Sequence, residues 1–134
     1  MATIAGSTQN EIAYSGDCPL APVHGYHTLA SAQVNDKVRL AKVFAGTKVY
    51  DMKLINAALG ASVTIDLGFE YVNGEAGGNA TQWLTAQPCT NAGMNQSASV
   101  PVTLNYDAYI IATVKGAAAS GRIDAVGKFE FKGK

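Results

Sequence analysis

The chain is expected to fold as an all-β, antiparallel two-sheet sandwich of jelly-roll type, preceded by an extended N-terminal arm. Three observations predict this. From Val63 to Tyr71 apolar and polar residues alternate without a slip, with Val63, Ile65, Leu67, Phe69 and Tyr71 on one face. A second run, "VPVTLNYDAYIIATVKG", keeps Val100, Val102, Leu104, Tyr106, Ile110 and Val114 in even phase. No segment of useful length repeats its apolar residues at the helical period, and polar, glycine-bearing loops separate the alternating runs. A period of two is the signature of a strand with one buried face, and such strands bury it by stacking sheets.

Residues 1–33 carry little charge and no sustained pattern, and Pro19 and Pro22 argue against a helix. They read as an arm (1–33) with scattered apolar anchors, followed by a sandwich domain (34–134). In "VNDKVRLAKV", Val34, Val38 and Leu40 share a face with Asp36 and Lys42. "FAGT" supplies a turn with Gly46 suited to positive φ, and "KVYDMKLI" follows. There Tyr50, Met52 and Leu54 fall on one side and Val49, Asp51 and Lys53 on the other, so the two segments read as a hairpin. After the strand ending near Val72 comes the loop "NGEAGGN". Asn79 is then placed to cap a short helix through "ATQWLTAQ", stopped by Pro88. "TNAGMNQSAS" is a second polar loop and "GAAASG" a turn. "RIDAVGKFEFKGK" closes the chain with Ile123, Phe129 and Phe131 in phase.

At 134 residues the size suits one domain. Ten basic residues balance ten acidic ones. Neutrality with few charges favours association over dispersal. No basic cluster exists to displace counterions from phosphate, which excludes nucleic acid and anionic membrane as partners. The run "NAGMNQSASVPVTLNY" is too polar to span a bilayer. "MATIAGSTQNEIAYSG" lacks the charged and apolar regions of a secretory signal, so folding in a cytoplasm is expected. There Cys18 and Cys89 are read as free thiols, with a bridge between them the alternative.

Groups able to do chemistry are sparse. His24 and His27 form H-x-x-H, but no third histidine exists and Cys18 and Asp17 lie beyond a proline, so no metal site is expected. No nucleophile elbow marks a serine for a triad. The carboxylates sit beside lysines (Asp36 with Lys37, Asp51 with Lys53, Glu130 between Lys128 and Lys132), as cross-strand pairs on a solvated face do. "NGEAGGN" lacks the GK[ST] ending of a phosphate loop. The "NAT" sequon at Asn79 matters only in a secreted eukaryotic chain. Trp83, the only tryptophan, is read as a cap on the open end of the sandwich, or as an exposed anchor for a sugar or protein. Neither a catalytic residue nor a cofactor is expected. The candidate interface residues are Ile4, Ile12, Tyr14 and Val23 of the arm, with Trp83 and Leu84.

The stretch "DKVRLAKVFAGTKVYDMKLINAALGASVTIDLGFEYVNG" resembles small virion proteins of tailed bacteriophages. The pattern is met by Leu40, Ala45, Gly46, Val49, Asp51, Leu54, Leu67, Gly68 and Phe69, and "GRIDAVGKFEF" resembles the last strand of such proteins. The resemblance covers the middle third and the C-terminal end, leaving the arm unmatched. It implies a β-sandwich decoration, or cement, protein on the exterior of an icosahedral head, assembled in the bacterial host cytoplasm. Such a protein clamps neighbouring major capsid subunits, commonly as a trimer or dimer. A carbohydrate-binding jelly roll and a tail structural subunit are the alternatives.

Overall fold

A computed structural model describes residues 1–10 and 20–131. It contains ten strands: β1 (Thr3–Ala5), β2 (Ala21–Ala32), β3 (Lys37–Val43), β4 (Thr47–Asn56), β5 (Thr64–Tyr71), β6 (Asn79–Pro88), β7 (Gly93–Gln96), β8 (Val102–Thr103), β9 (Ala108–Lys115) and β10 (Ala119–Phe131). One sheet has the order β1-β3-β9-β5-β6. The other has the order β2-β10-β4-β7, with β8 also paired to β4.

The pairing is nested. β2 pairs with β10, β3 with β9, β4 with β7 and β5 with β6, so the chain behaves as one long hairpin rolled into two facing sheets. That is the arrangement of a jelly roll. Every pair is antiparallel except β1 with β3. Between the sheets lie Leu40, Met52, Leu54, Ile65, Leu67, Leu104, Ile110, Ile123 and Phe129, all fully buried.

Alternation in β5, β9 and β10 puts Ile65, Leu67, Ile110, Ala112, Val114, Ile123 and Phe129 inside, as expected. Three expectations are corrected. β3 and β4 lie in different sheets, so "FAGT" turns the chain from one sheet to the other and closes no hairpin. Its amides are held by the opposite end of the chain, Gly46 N–H donating to the Leu104 carbonyl and Ala45 N–H to Asp107 Oδ1. In β4, Asp51 faces Lys128 while Val49 faces Phe129, which leaves Tyr50 as an extra residue. That bulge shifts the phase, so Val49 is buried with Met52 and Tyr50 faces outward, half-buried. The segment expected as a helix after Asn79 is strand β6, because Trp83 packs on Phe69 at 5.8 Å and the backbone pairs with β5. Tertiary pairing overrides a capping signal that is only local.

Outside residues 11–19, the stretch read as an arm runs along the sandwich as an edge. Residues 21–32 are an integral strand of the second sheet, paired along nearly the whole of β10. Residues 1–9 close the side of the sandwich between β2 and β3. Ala2 N–H and Gln33 N–H each donate to the Asp36 carboxylate at 3.0 Å. The buried Thr8 hydroxyl accepts Tyr26 N–H at 2.8 Å and donates to the Leu40 carbonyl at 2.6 Å, which ties one sheet to the other. Gly25 fits this seam because a side chain there would strike the Leu40 backbone.

Candidate functional site

Each sheet has an outer face whose charged groups are engaged with one another. On the second sheet, β2 and β10 bring His24, Tyr26, Arg122 and Asp124 together. Arg122 Nε and Nη2 donate to Asp124 at 2.8 and 3.1 Å, and His24 Nε2 lies 2.8 Å from Asp124 Oδ2. The guanidinium stacks 4.3 Å from the Tyr26 ring centroid. The Arg122 hydrogen bond, ahead of that from His24, holds the Asp124 carboxyl below the usual carboxylate range. On the first sheet, Lys37 Nζ and Arg39 Nε bond Glu70 at 2.7 and 2.9 Å. Burial by itself would raise the Glu70 carboxyl, but the two cations outweigh it and hold it low.

Beside Glu70 is a cleft of about 480 Å³, floored by Ile111 and Thr113 and rimmed by Lys37, Glu70, Glu75 and Lys115. Its rim is already occupied: Lys115 Nζ donates to Asn35 Oδ1 at 2.7 Å and Glu75 Oε1 accepts Asn73 N–H. Such a cleft can seat a side chain of a partner.

The H-x-x-H histidines are three apart on a strand and so face opposite ways. His24 joins Asp124 outside. His27 Nδ1 accepts Ser7 N–H at 3.0 Å, with Ser7 Oγ at 3.1 Å, and burial lowers the His27 pKa from its ordinary value. His27 therefore helps to pin the N-terminal segment. Among the described residues no group of three His, Cys, Asp or Glu side chains is placed to hold a metal ion. Cys89 is a free buried thiol whose pKa burial pushes up to about 11, and Cys18 lies outside the described residues.

The candidate interface residues distribute unevenly. Val23 (3 % exposed) and Trp83 (5 %) belong to the core, where they give stability and offer no surface. Trp83 closes the core beside Phe69. Ile4 and Leu84 are half-buried against the same cluster. Ile12 and Tyr14 lie outside the described residues. Among the described residues the large apolar side chains that are exposed are Met1, Leu20, Val34, Ile55, Met94, Val100 and Tyr106. Residues 76–106, which contain no Lys, Arg, Asp, Glu or His, are the sequence signal that marks three of these.

No family model and no curated protein matches the sequence. Solved structures do match the fold. A chain in the capsid of Ralstonia phage GP4 superposes with a TM-score of 0.76 at 13 % identity, covering 98 % of this chain and 99 % of that one. A chain of the cyanophage Pam1 capsid asymmetric unit gives 0.64 at 15 % identity over 84 % of each. A chain of the acid-stable capsid of Helicobacter pylori bacteriophage KHP30 gives 0.63 at 15 % identity, over 88 % of this chain and 92 % of that one. The chain therefore shares its two-sheet fold with small chains found in phage capsids.

Proposed function

We propose that this chain is a structural component of a phage virion, a decoration protein that binds the outside of the capsid and stabilises it by bridging neighbouring major capsid subunits. The observation that carries the reading is the end-to-end match with a chain of the Ralstonia phage GP4 capsid. Because that match covers nearly all of both chains, the capsid component is itself a small single sandwich, the size of an accessory subunit. The outer faces support it as well. Lys37 and Arg39 with Glu70, and Arg122 with Asp124, are paired within their own sheets, which suits a binding surface. Repetition over a symmetric shell turns a modest contact per copy into a large total stabilisation.

The carbohydrate-binding alternative rested on an exposed Trp83, and that ring is buried against Phe69. The test of the capsid reading is addition of the purified protein to shells assembled without it. Cosedimentation, density on the shell exterior by electron cryomicroscopy and a higher disruption temperature are expected. Failure to cosediment with the cognate shell at micromolar concentration refutes it.

A further inference from the structure

The charges of this chain are sorted by strand position. Among the described residues every Lys, Arg, Asp and Glu lies on β3, β4, β5, β9 or β10, or in a turn beside one of them. Those are the interior strands of the two sheets. The edge strands, β1 and β2 on one side and β6, β7 and β8 on the other, carry none. Sheet edges of monomeric proteins are usually blunted by charge, above all by lysine. Here the arrangement is reversed.

Exposed apolar side chains follow the opposite rule. Leu20 and Val34 border the β1/β2 side, and Met94, Val100 and Tyr106 border the β7/β8 side, while Met1 lies at the charged cleft beside Lys37 and Glu70. Ile55 lies directly opposite Met94 in register. Val100 is 76 % exposed and Met94 59 %, so neither contributes to this chain's own core.

We infer that these two uncharged walls are where copies of this chain meet, the β6/β7/β8 wall of one against the β1/β2 wall of the next. A charged partner surface would lose its hydration against such a wall with no ion to pair with. Among the described residues, the two edges of the sandwich carry no Lys, Arg, Asp or Glu side chain, so each supplies the complement of the other. A neutral chain adds no long-range repulsion between copies. β6, at about 3.3 Å per residue, makes a wall roughly 33 Å long, and two stacked sheets with their side chains make it roughly 20 Å deep. The resulting patch of about 650 Å² approaches the ~800 Å² per partner of a standard interface. The contact is made by side chains and not by strand addition, because β6 departs from regular pairing at two places, one next to Leu67 and Phe69. Contact between unlike walls is heterologous, and it closes into a ring where the rotation between copies closes and runs on as an open filament where it does not.

The inference goes beyond the capsid reading and fails separately from it. The test is sedimentation equilibrium of the full chain at low and at 1 M salt, with Met94→Lys, Leu20→Lys and, as a control on the charged face, Lys128→Glu. All three sites are exposed, so the variants are expected to fold, and circular dichroism checks that they do. The parent is expected to exceed monomer mass at both salt concentrations. Either wall variant alone is expected to weaken association about 100-fold, with Lys128→Glu unchanged. Mixing the two wall variants is expected to restore a dimer, since each keeps one good wall of the opposite kind. A parent that stays monomeric overturns the inference, as does an oligomer that survives both wall variants, one that dissolves in salt, or a mixture that stays monomeric. A monomeric parent that still cosediments with shells overturns this inference and leaves the capsid reading standing. A wall-dependent oligomer that ignores shells does the reverse.

Discussion

Replacing Thr8 by valine keeps the shape of the side chain and removes its hydroxyl. In the fold that hydroxyl serves two sheets at once, accepting Tyr26 N–H from β2 and donating to the Leu40 carbonyl of β3. Valine strands both groups in a site that is 2 % exposed at Thr8. A buried polar group left without a partner costs about 1–3 kcal/mol, and the Tyr26 amide is only partly buried, so the sum is about 3 kcal/mol. For a chain of 134 residues that corresponds to a fall of roughly 10 °C in Tm. Thr8→Ser keeps the hydroxyl and loses one methyl, which costs under about 1 kcal/mol. Urea denaturation followed by tryptophan fluorescence measures both, since Trp83 lies in the core. If valine and serine are equally mild, within about 0.5 kcal/mol of the parent, the N-terminal segment does not hold the sheets together and the reasoning fails.

Three further outcomes follow from the same geometry. Gly68→Ala drives a methyl into the backbone of Asn79 and Ala80, where neither side can yield, and is expected to cost about 1–3 kcal/mol by the same denaturation assay. The folded Glu70 carboxyl titrates below its ordinary 4.5, so its contribution is present above that pH and is lost as pH falls through the folded value. Glu70→Gln is therefore expected to flatten the acid limb of a Tm-against-pH curve, and an unchanged limb counts against the Lys37–Glu70–Arg39 cluster. With its pKa near 11, Cys89 is expected to resist alkylation at pH 8 until the chain is unfolded in denaturant. Mass mapping of the alkylated peptide checks this, and rapid labelling of the native protein contradicts it.

Strands whose one face is buried announce themselves, and β5, β9 and the second half of β10 were readable for that reason. β6 was not. An asparagine at its start and a proline at its end punctuate a strand as readily as a helix, and only the packing of Trp83 on Phe69 decides between them. β2 was disguised by small residues: its inward positions include Ala21, Gly25 and Ala32, which carry too little apolar mass to display a period. The inverted phase of Val49 and Tyr50 comes from a bulge set by the partner strand, information that no local window holds. The same limit governed the interface candidates. An isolated apolar residue in a polar segment, such as Val23, reads alike whether it plugs a core or waits for a neighbour. Charge was the more legible quantity, because its absence from residues 76–106 needs no knowledge of the fold.

The nested pairing has a consequence for how the molecule is made. β9 lies between β3 and β5, and β10 lies between β2 and β4. Until those last two segments leave the ribosome, each sheet exists only as separated ribbons with no neighbour to complete them. Loops spanning most of the sequence must then close before any of that burial is recovered, a topology that folds slowly. A product terminated before β9 is therefore expected to lack the strand that joins the two halves of each sheet. Both sheets are complete only in a copy translated through β10.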